Sequence, residues 1–341
     1  MEKKDIDWSN LGFGYVKTDK RYVSNYKDGS WDEGCLTEDA NIVLNECAGV
    51  LQYAQTVFEG LKAYTTEDGR IVCFRPDLNA ARMVDSAKRL EMPAFPEDRF
   101  VEAVVETVKA NAAYVPPYGS GATLYIRPYM FGSNPVIGVK PANEYQFRMF
   151  CTPVGPYFKG GAKPITIRVS DFDRAAPHGT GHIKAGLNYA MSLHAIVTAH
   201  QEGYDENMYL DAATRTKVEE TGGANFIFVT KDGTVVTPKS NSILPSITRR
   251  SLMVVAEKYL GLKVEHREVY FDEVKDFAEC GLCGTAAVIS PVGKIVDHGK
   301  EICFPSGMEK MGPVIQKLYD TLTGIQMGKI EAPKGWIYTI A

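Results

Sequence analysis

Lys184, in the run GTGHIKAGLNYA, stands among small residues at the start of an apolar, helix-like segment. A lysine stem buried there loses solvation, which disfavours the ammonium and makes the neutral amine a nucleophile. The positive potential of a helix N-terminus pushes the same way. An amine so placed can form a Schiff base with a carbonyl compound, although a solvated lysine at a helix end fits the same spacing. Arg82, in NAARMVDSAKRL, can meet a phosphate with its planar fork or pair with Asp85 on a helix surface. Tyr125 and Arg127, in LYIRPYMFG, are two residues apart and so share one face of a strand, where they can clamp a carboxylate or simply face water. Glu220 precedes Gly222-Gly223, a place where a ligand can approach the backbone closely. A turn acid in solvent fits that spacing too. In ILPSITRRSL, Ile247 and Thr248 fall in the first turn of a helix, where unbonded N–H groups attract anions. The Gly284-Thr285-Ala286 turn offers further backbone donors.

Other chemistries find no support. Cys280 and Cys283 form a CxxC, but no second CxxC accompanies it for zinc and no thioredoxin-like context surrounds it. The six histidines include no HExxH, and His178 and His182 beside Lys184 lack partners at ligand spacing, so no metal site is expected. Walker, GxGxxG and GxSxG signatures are missing. With 38 Lys+Arg against 42 Asp+Glu the net charge is -4, without the basic surplus of a nucleic-acid binder. No apolar run is long enough for a membrane span. The opening MEKKDIDWSN lacks the apolar core of a secretory signal. Seven cysteines, an odd number, fit a reduced cytoplasmic protein better than a disulfide scaffold.

The elements that would carry these residues are legible in outline. The first thirty residues read as an irregular arm, and the stretch from Ala40 to Tyr64 as strand, turn and strand. Ala80, Met83, Val84 and Ala87 follow a helical spacing, and a second helix is expected from Glu97 to Ala113. The Gly- and Pro-rich VGPYFKGGAKP reads as a boundary. Two domains are therefore expected: residues 1–153, a connecting loop 154–164, and residues 165–341. Beyond the loop, a helix is expected from Ala185 to Gln201. Strands are expected at Met208–Leu210, Thr216–Glu220 and Asn225–Val229, then a helix opening at Pro245 and another from Glu309 to Leu322. The class is mixed α/β.

Singly these signals are weak, but their order is specific. Tyr53, FEGLKAY (Phe58 to Tyr64), FRPDLNAARM, LYIRP, HIKAGLNYA, EETGGANFIF, ILPSITR and CGTAAVISP follow one another along the chain. This succession resembles the branched-chain amino-acid aminotransferases, fold-type IV enzymes that use pyridoxal 5′-phosphate, from Trp8 to the C-terminus. The resemblance implies a small α/β domain and a larger, strand-rich cofactor domain. Lys184 would join the cofactor as a Schiff base and then act as the base. Glu220 would pair with the pyridine nitrogen, in preference to Glu219, because the acid stands five residues before Asn225. Tyr189 would lie beside the cofactor's phenolic oxygen. Arg82, the amides of Ile247 and Thr248, and the Thr285 hydroxyl would hold the phosphate.

The resemblance further implies a ping-pong exchange between L-leucine, L-isoleucine or L-valine and 2-oxoglutarate. The substrate α-carboxylate would sit on the Thr285 and Ala286 amides. Tyr53, Phe58, Tyr125 and Tyr157 would form an aromatic wall, Arg127 would meet the glutamate γ-carboxylate, and Gly223 would leave space beside the ring. A homodimer is implied, since part of that wall comes from the partner. D-amino-acid aminotransferases and aminodeoxychorismate lyases share the fold and form the alternative; a thiol switch at Cys280 and Cys283 with a decayed cofactor site is the third. The animal enzymes carry their CxxC after the Gly-Thr-Ala turn, whereas here those positions are Ala287 and Ser290. Both cysteines are expected in the core.

Overall fold

The computed structural model describes residues 3–155 and 162–341. They fall into two compact units, one holding residues 3–155, 183–186 and 325–341, the other residues 162–182 and 187–324.

In the first unit, β1 (Arg21–Lys27), β2 (Ser30–Trp31), β3 (Cys35–Thr37), β4 (Thr56–Phe58), β5 (Leu61–Thr65), β6 (Ile71–Phe74), β7 (Thr123–Gly132) and β8 (Tyr145–Val154) join the C-terminal strand Ile337–Thr339 in a nine-stranded sheet. Every pair in it is antiparallel. The spine is β7 with β8, paired from Thr123↔Val154 to Gly132↔Tyr145. Strand alternation sends Phe147, Met149 and Cys151 to one face, where they are fully buried. The helices α1 (Gly49–Tyr53), α2 (Pro76–Arg89) and α3 (Glu97–Ala110) also belong to this unit. Just before α3, Phe95 stacks on Phe147 with centroids 3.9 Å apart, and Phe100 of α3 packs beside the same ring. In α2 the buried stripe is Ala80, Met83, Val84 and Ala87, the spacing that marks the helix in the sequence. The other face of β7 and β8 carries Tyr125, Arg127, Tyr129, Arg148 and Phe150. Across it runs the N-terminal arm: Phe13 meets Tyr125 edge-on, Tyr15 meets Phe150, and the Val16 N–H donates to Thr152 Oγ1 over 2.8 Å.

In the second unit, β9 (Ile165–Val169), β10 (Glu206–Met208), β11 (Asn225–Val229), β12 (Val235–Pro238), β13 (Val264–Arg267), β14 (Glu279–Gly284), β15 (Val288–Asp297) and β16 (Lys300–Cys303) form a mixed sheet. Its order is β10-β9-β15-β14-β11-β12-β13, with β16 on β15. Three pairs are parallel, β10 with β9, β9 with β15 and β12 with β13. The core gathers Ile167, Phe226, Phe228, Phe277, Leu282 and Ile295. The helices are α4 (Gly186–Gln201), α5 (Ile247–Lys258) and α6 (Pro313–Gln326).

Several boundaries differ from the sequence reading. Part of the expected arm is β1, whose Tyr22–Tyr26 pair with β8 and so gain from the sheet what their mixed composition conceals. Ala40 to Tyr64 holds the short α1 before β4 and β5, in place of a first strand. Thr216–Glu220 pairs only through isolated bridges, Leu210↔Val218 and Glu220↔Asn225 among them. Helix α5 opens at Ile247, two residues after Pro245, because Ser246 caps it by accepting the Arg249 N–H. Helix α6 opens at Pro313, not Glu309, where the buried Glu279 carboxylate accepts the Val314 and Ile315 amides at 2.8–3.1 Å. Among the described residues no helix is long and apolar enough to cross a membrane.

Glu279 makes a stability prediction. Replacing it by alanine leaves the buried Ile315 amide and the partly buried Val314 amide without their acceptor, at about 1–3 kcal/mol for the buried one and less for the other. We expect Glu279→Ala to lose about 2–4 kcal/mol in urea unfolding. A loss below 1 kcal/mol would show that water can replace the carboxylate.

Candidate active site

The first unit gathers Lys184, Phe58, Tyr125 and Arg127. Lys184 precedes α4, yet its backbone is fixed as firmly as a strand. Its carbonyl accepts the Phe58 N–H at 3.1 Å, its own N–H donates to Ser86 Oγ of α2 at 3.0 Å, and the next residue, Ala185, bridges Val57 of β4. The half-buried lysine therefore projects its amine from an anchored point, 4.7 Å from the centroid of the Phe58 ring. Arg127 lies over the same ring at 4.8 Å and donates from Nη2 to the Tyr125 hydroxyl at 3.0 Å. Its Nε is buried without a partner. Gly60 makes room for this arrangement, since a Cβ there would stand 2.2 Å from the Tyr125 hydroxyl.

Arg82 does not pair with Asp85. Its Nε and Nη2 donate to the two oxygens of Glu59 at 2.8 and 2.7 Å, and Asn79 Nδ2 adds a third bond to that carboxylate at 2.8 Å. Glu59 is fully buried and Arg82 is 6% exposed. The glutamate escaped the sequence reading because FEG looks like strand residues before a turn.

Tyr53 is instead 41% exposed at the end of α1, with its hydroxyl donating to the Ile137 carbonyl. Tyr157 lies outside the described residues.

The second unit gathers Glu220, Gly223, the start of α5 and the turn after β14. Glu220 is buried at the mouth of a tight turn that bridges it to Asn225. The Thr221 side chain closes that turn by accepting the Ala224 N–H at 2.9 Å. On Glu220, Oε1 accepts Arg174 Nη2 at 2.7 Å and the Leu244 N–H at 2.9 Å, while Oε2 accepts Asn225 Nδ2. Burial raises this carboxyl above its ordinary range, and Arg174 pulls it back. Arg174, itself 5% exposed, also donates to the Gly181 and Ser242 carbonyls, and so ties three segments to one acid. No motif pointed to it.

From Leu244 the chain runs three residues to α5, whose first amides, Ile247 and Thr248, lie outside the helix's own hydrogen bonds. The β14–β15 turn carries Thr285 and Ala286, and a Cβ at Gly284 would stand 3.7 Å from the Gly223 carbonyl oxygen. The turn closes through Val288 at φ +63°, a costly conformation for a β-branched residue that only its packing can hold. A side chain at Gly223 would meet nothing within 4 Å. Tyr189 is half-buried on α4, and the neighbouring Asn188 fixes the preceding loop through Thr180.

Glu219 points away from this cluster. It lines a separate cavity of about 460 Å³ with Ser240 and Lys239, and accepts the Ser240 hydroxyl at 2.9 Å. Burial raises its carboxyl too. A raised folded value means that the native state keeps its proton where the unfolded chain has lost it. Stability therefore falls as pH rises through and above the ordinary carboxylate range. We expect Glu219→Gln to be more stable than the parent in urea at pH 7, with the gap closing toward pH 4. A constant gap would refute the assignment.

Cys280 and Cys283 are three apart on β14 and so lie on opposite faces. Both are buried, and burial pushes Cys283 up to about 12 and Cys280 well above the ordinary thiol range, leaving no thiolate for a switch.

Residues 56–295 match the family model for amino-transferase class IV. A branched-chain-amino-acid aminotransferase of Haemophilus influenzae is 52% identical over 99% of both chains. Among solved structures, the branched-chain amino acid aminotransferase of Escherichia coli superposes with a TM-score of 0.79 at 27% identity, covering 95% of this chain and 100% of that one. That of Thermobaculum terrenum, solved in its PLP form, gives 0.78 at 26% identity, covering 96% and 100%.

Proposed function

This chain belongs to the class IV amino-transferases and, within them, to the branched-chain-amino-acid aminotransferases, and from that premise we propose how its residues divide the reaction. It is a pyridoxal 5′-phosphate enzyme that moves the amino group between L-leucine, L-isoleucine or L-valine and 2-oxoglutarate, giving L-glutamate. When bound, the cofactor supplies an aldehyde that condenses with amines and a protonated ring that takes up the electrons of a carbanion. The donor set fits such a group: an amine on an anchored backbone, a buried carboxylate, a buried guanidinium and unbonded helix-start amides.

Lys184 Nζ would hold the cofactor between turnovers, then take the proton from the substrate Cα and pass it to the carbon that came from the cofactor's aldehyde. The carboxylate of Glu220 would hold a proton at the ring nitrogen, and Arg174, bonded to its Oε1, counters part of the rise that burial causes. Arg82, the Ile247 and Thr248 amides and the Thr285 hydroxyl would hold the phosphate, and the Tyr189 phenol would serve the ring hydroxyl. The Thr285 and Ala286 amides bind the substrate α-carboxylate. Phe58, Tyr125, Tyr53 and Tyr157 line the side-chain pocket, with Gly223 leaving room. Arg127 receives the γ-carboxylate of glutamate.

The observation that carries this reading is the Lys184 amine over the Phe58 ring, which it shares with Arg127, itself bonded to Tyr125. L-Leucine, L-isoleucine and L-valine against 2-oxoglutarate, run beside D-alanine, test it; turnover of D-alanine alone would overturn it.

Residues 1–153 and 165–341 act as small and large domains joined by 154–164, in a cytoplasmic homodimer. Leu51, Tyr53, Ile137 and Val139 are 41–88% exposed in the first unit, an apolar patch that a second copy would cover. Sedimentation would return a monomer if this is wrong.

A further inference from the structure

The face of the first unit's sheet that carries Tyr125 and Arg127 holds two more guanidiniums. Register places Arg148 of β8 opposite Tyr129 of β7, and Phe150 opposite Arg127. Arg148 is therefore the diagonal neighbour of Arg127, at a Cα spacing of roughly 7–8 Å. On β1, Val23 pairs with Arg148, so Arg21, two residues earlier, shares the same face. Arg21 is 2% exposed and Arg148 7% exposed.

Buried cations are ordinarily matched by an acid. These are not: among the described residues no carboxylate lies within 4 Å of Arg21, Arg127 or Arg148. All three bond to neutral acceptors. Arg148 donates to Gln146 Oε1 and the Asp39 carbonyl, each at 3.0 Å, and to the Tyr129 hydroxyl. Arg21 donates to the Glu38 and Thr18 carbonyls, and Arg127 to Tyr125. Glu38 and Asp39 feel the charges of Arg21 and Arg148 but offer them only backbone carbonyls, and bond their carboxylates elsewhere, Glu38 to Lys20 at 2.7 Å and Asp39 to Asn41. Lys62 adds a fourth cation to the face, directly opposite Tyr125, with its amine pushed down to about 8 by burial.

We propose that Arg148 and Arg21 form a second row of charge, in contact with no carboxylate, behind Arg127, which makes this sheet face selective for the dicarboxylate substrate over the branched-chain one. Aromatic residues accompany the charges on this face, Phe150 opposite Arg127 and Tyr129 opposite Arg148, so the row keeps apolar surface beside it. A leucine side chain then meets phenyl and phenol surface, while a γ-carboxylate, already bonded to Arg127, gains from a field that low-dielectric surroundings screen poorly. One pocket so serves two side chains of opposite character. The inference rests on the assignment of Arg127 above.

The test is the ratio of kcat/KM for L-glutamate to that for L-leucine, so that partial loss of folded enzyme cancels. Arg148→Gln should lower the ratio about five- to tenfold, chiefly through KM for glutamate and 2-oxoglutarate. Arg148→Lys, which keeps the charge, should restore it to within about twofold. Inhibition by glutarate should weaken in parallel, relative to inhibition by 4-methylpentanoate. If Arg148→Gln lowers both substrates equally, or neither, the second row is overturned and Arg148 only staples the arm. Arg127→Gln is the separate check: an unchanged ratio there would remove the assignment of Arg127 itself.

Discussion

Lys184→Ala should lose at least about a thousandfold in transamination, together with the visible absorption of a lysine-linked cofactor, because one amine performs two tasks. A positioned general base alone accounts for about 10²–10⁴ in rate, and loss of the tether compounds it. The backbone geometry separates this effect from misfolding. What anchors residue 184 are its main-chain N–H and C=O, to Ser86 and Phe58, and alanine keeps both. Circular dichroism and the unfolding midpoint of the variant should therefore match those of the parent. Added small amines should recover part of the proton-transfer rate but not the absorption band. Retained turnover would exclude this lysine and with it the assignment of the first unit's cluster.

The pattern of what could be read in advance follows from the range of the forces involved. Lys184, Tyr125 and Arg127 were visible because their neighbours fix them locally: small residues before a helix, and a two-residue interval along a strand. Strand alternation needs no knowledge of partners, so the shared face of Tyr125 and Arg127 emerged from spacing alone. Arg82 was visible as an arginine but not as half of a pair, since Glu59 lies twenty-three residues away and only sheet and helix packing brings them together. Arg174 and Glu220 are forty-six residues apart in the sequence and share no periodicity. The same holds for Glu279 and the start of α6: a helix boundary set by a distant carboxylate leaves no local mark. The N-terminal arm failed for a related reason. Its aromatic and polar mixture looks irregular alone, yet in β1 each residue answers to a partner on β8. Local chemistry was legible; the buried counter-charges that hold it were not.

Those counter-charges carry the second large effect. Glu59 and Arg82 form a bidentate pair at 2.7–2.8 Å with exposures of 0% and 6%. Removing one partner of such a pair leaves an unmatched buried charge, at a cost of about 3–5 kcal/mol. Glu59→Ala should therefore unfold at markedly lower urea, and Asn79, whose Nδ2 keeps only the longer bond to the Gly60 carbonyl, should add to the loss. The double variant Glu59→Leu with Arg82→Met removes both charges and fills the space, and should regain most of the stability, since apolar replacements of whole buried pairs are often neutral. Cofactor affinity should not return with it. With Arg82 gone the phosphate loses its guanidinium, so the double variant should bind pyridoxal 5′-phosphate far more weakly than the parent while binding unphosphorylated pyridoxal as before. Stability that recovers without phosphate affinity would assign the pair two separable roles, Glu59 to the fold and Arg82 to the ligand. Stability that stays low in the double variant would mean that the hydrogen bonds to Asn79 and Gly60 matter more than the charge they surround.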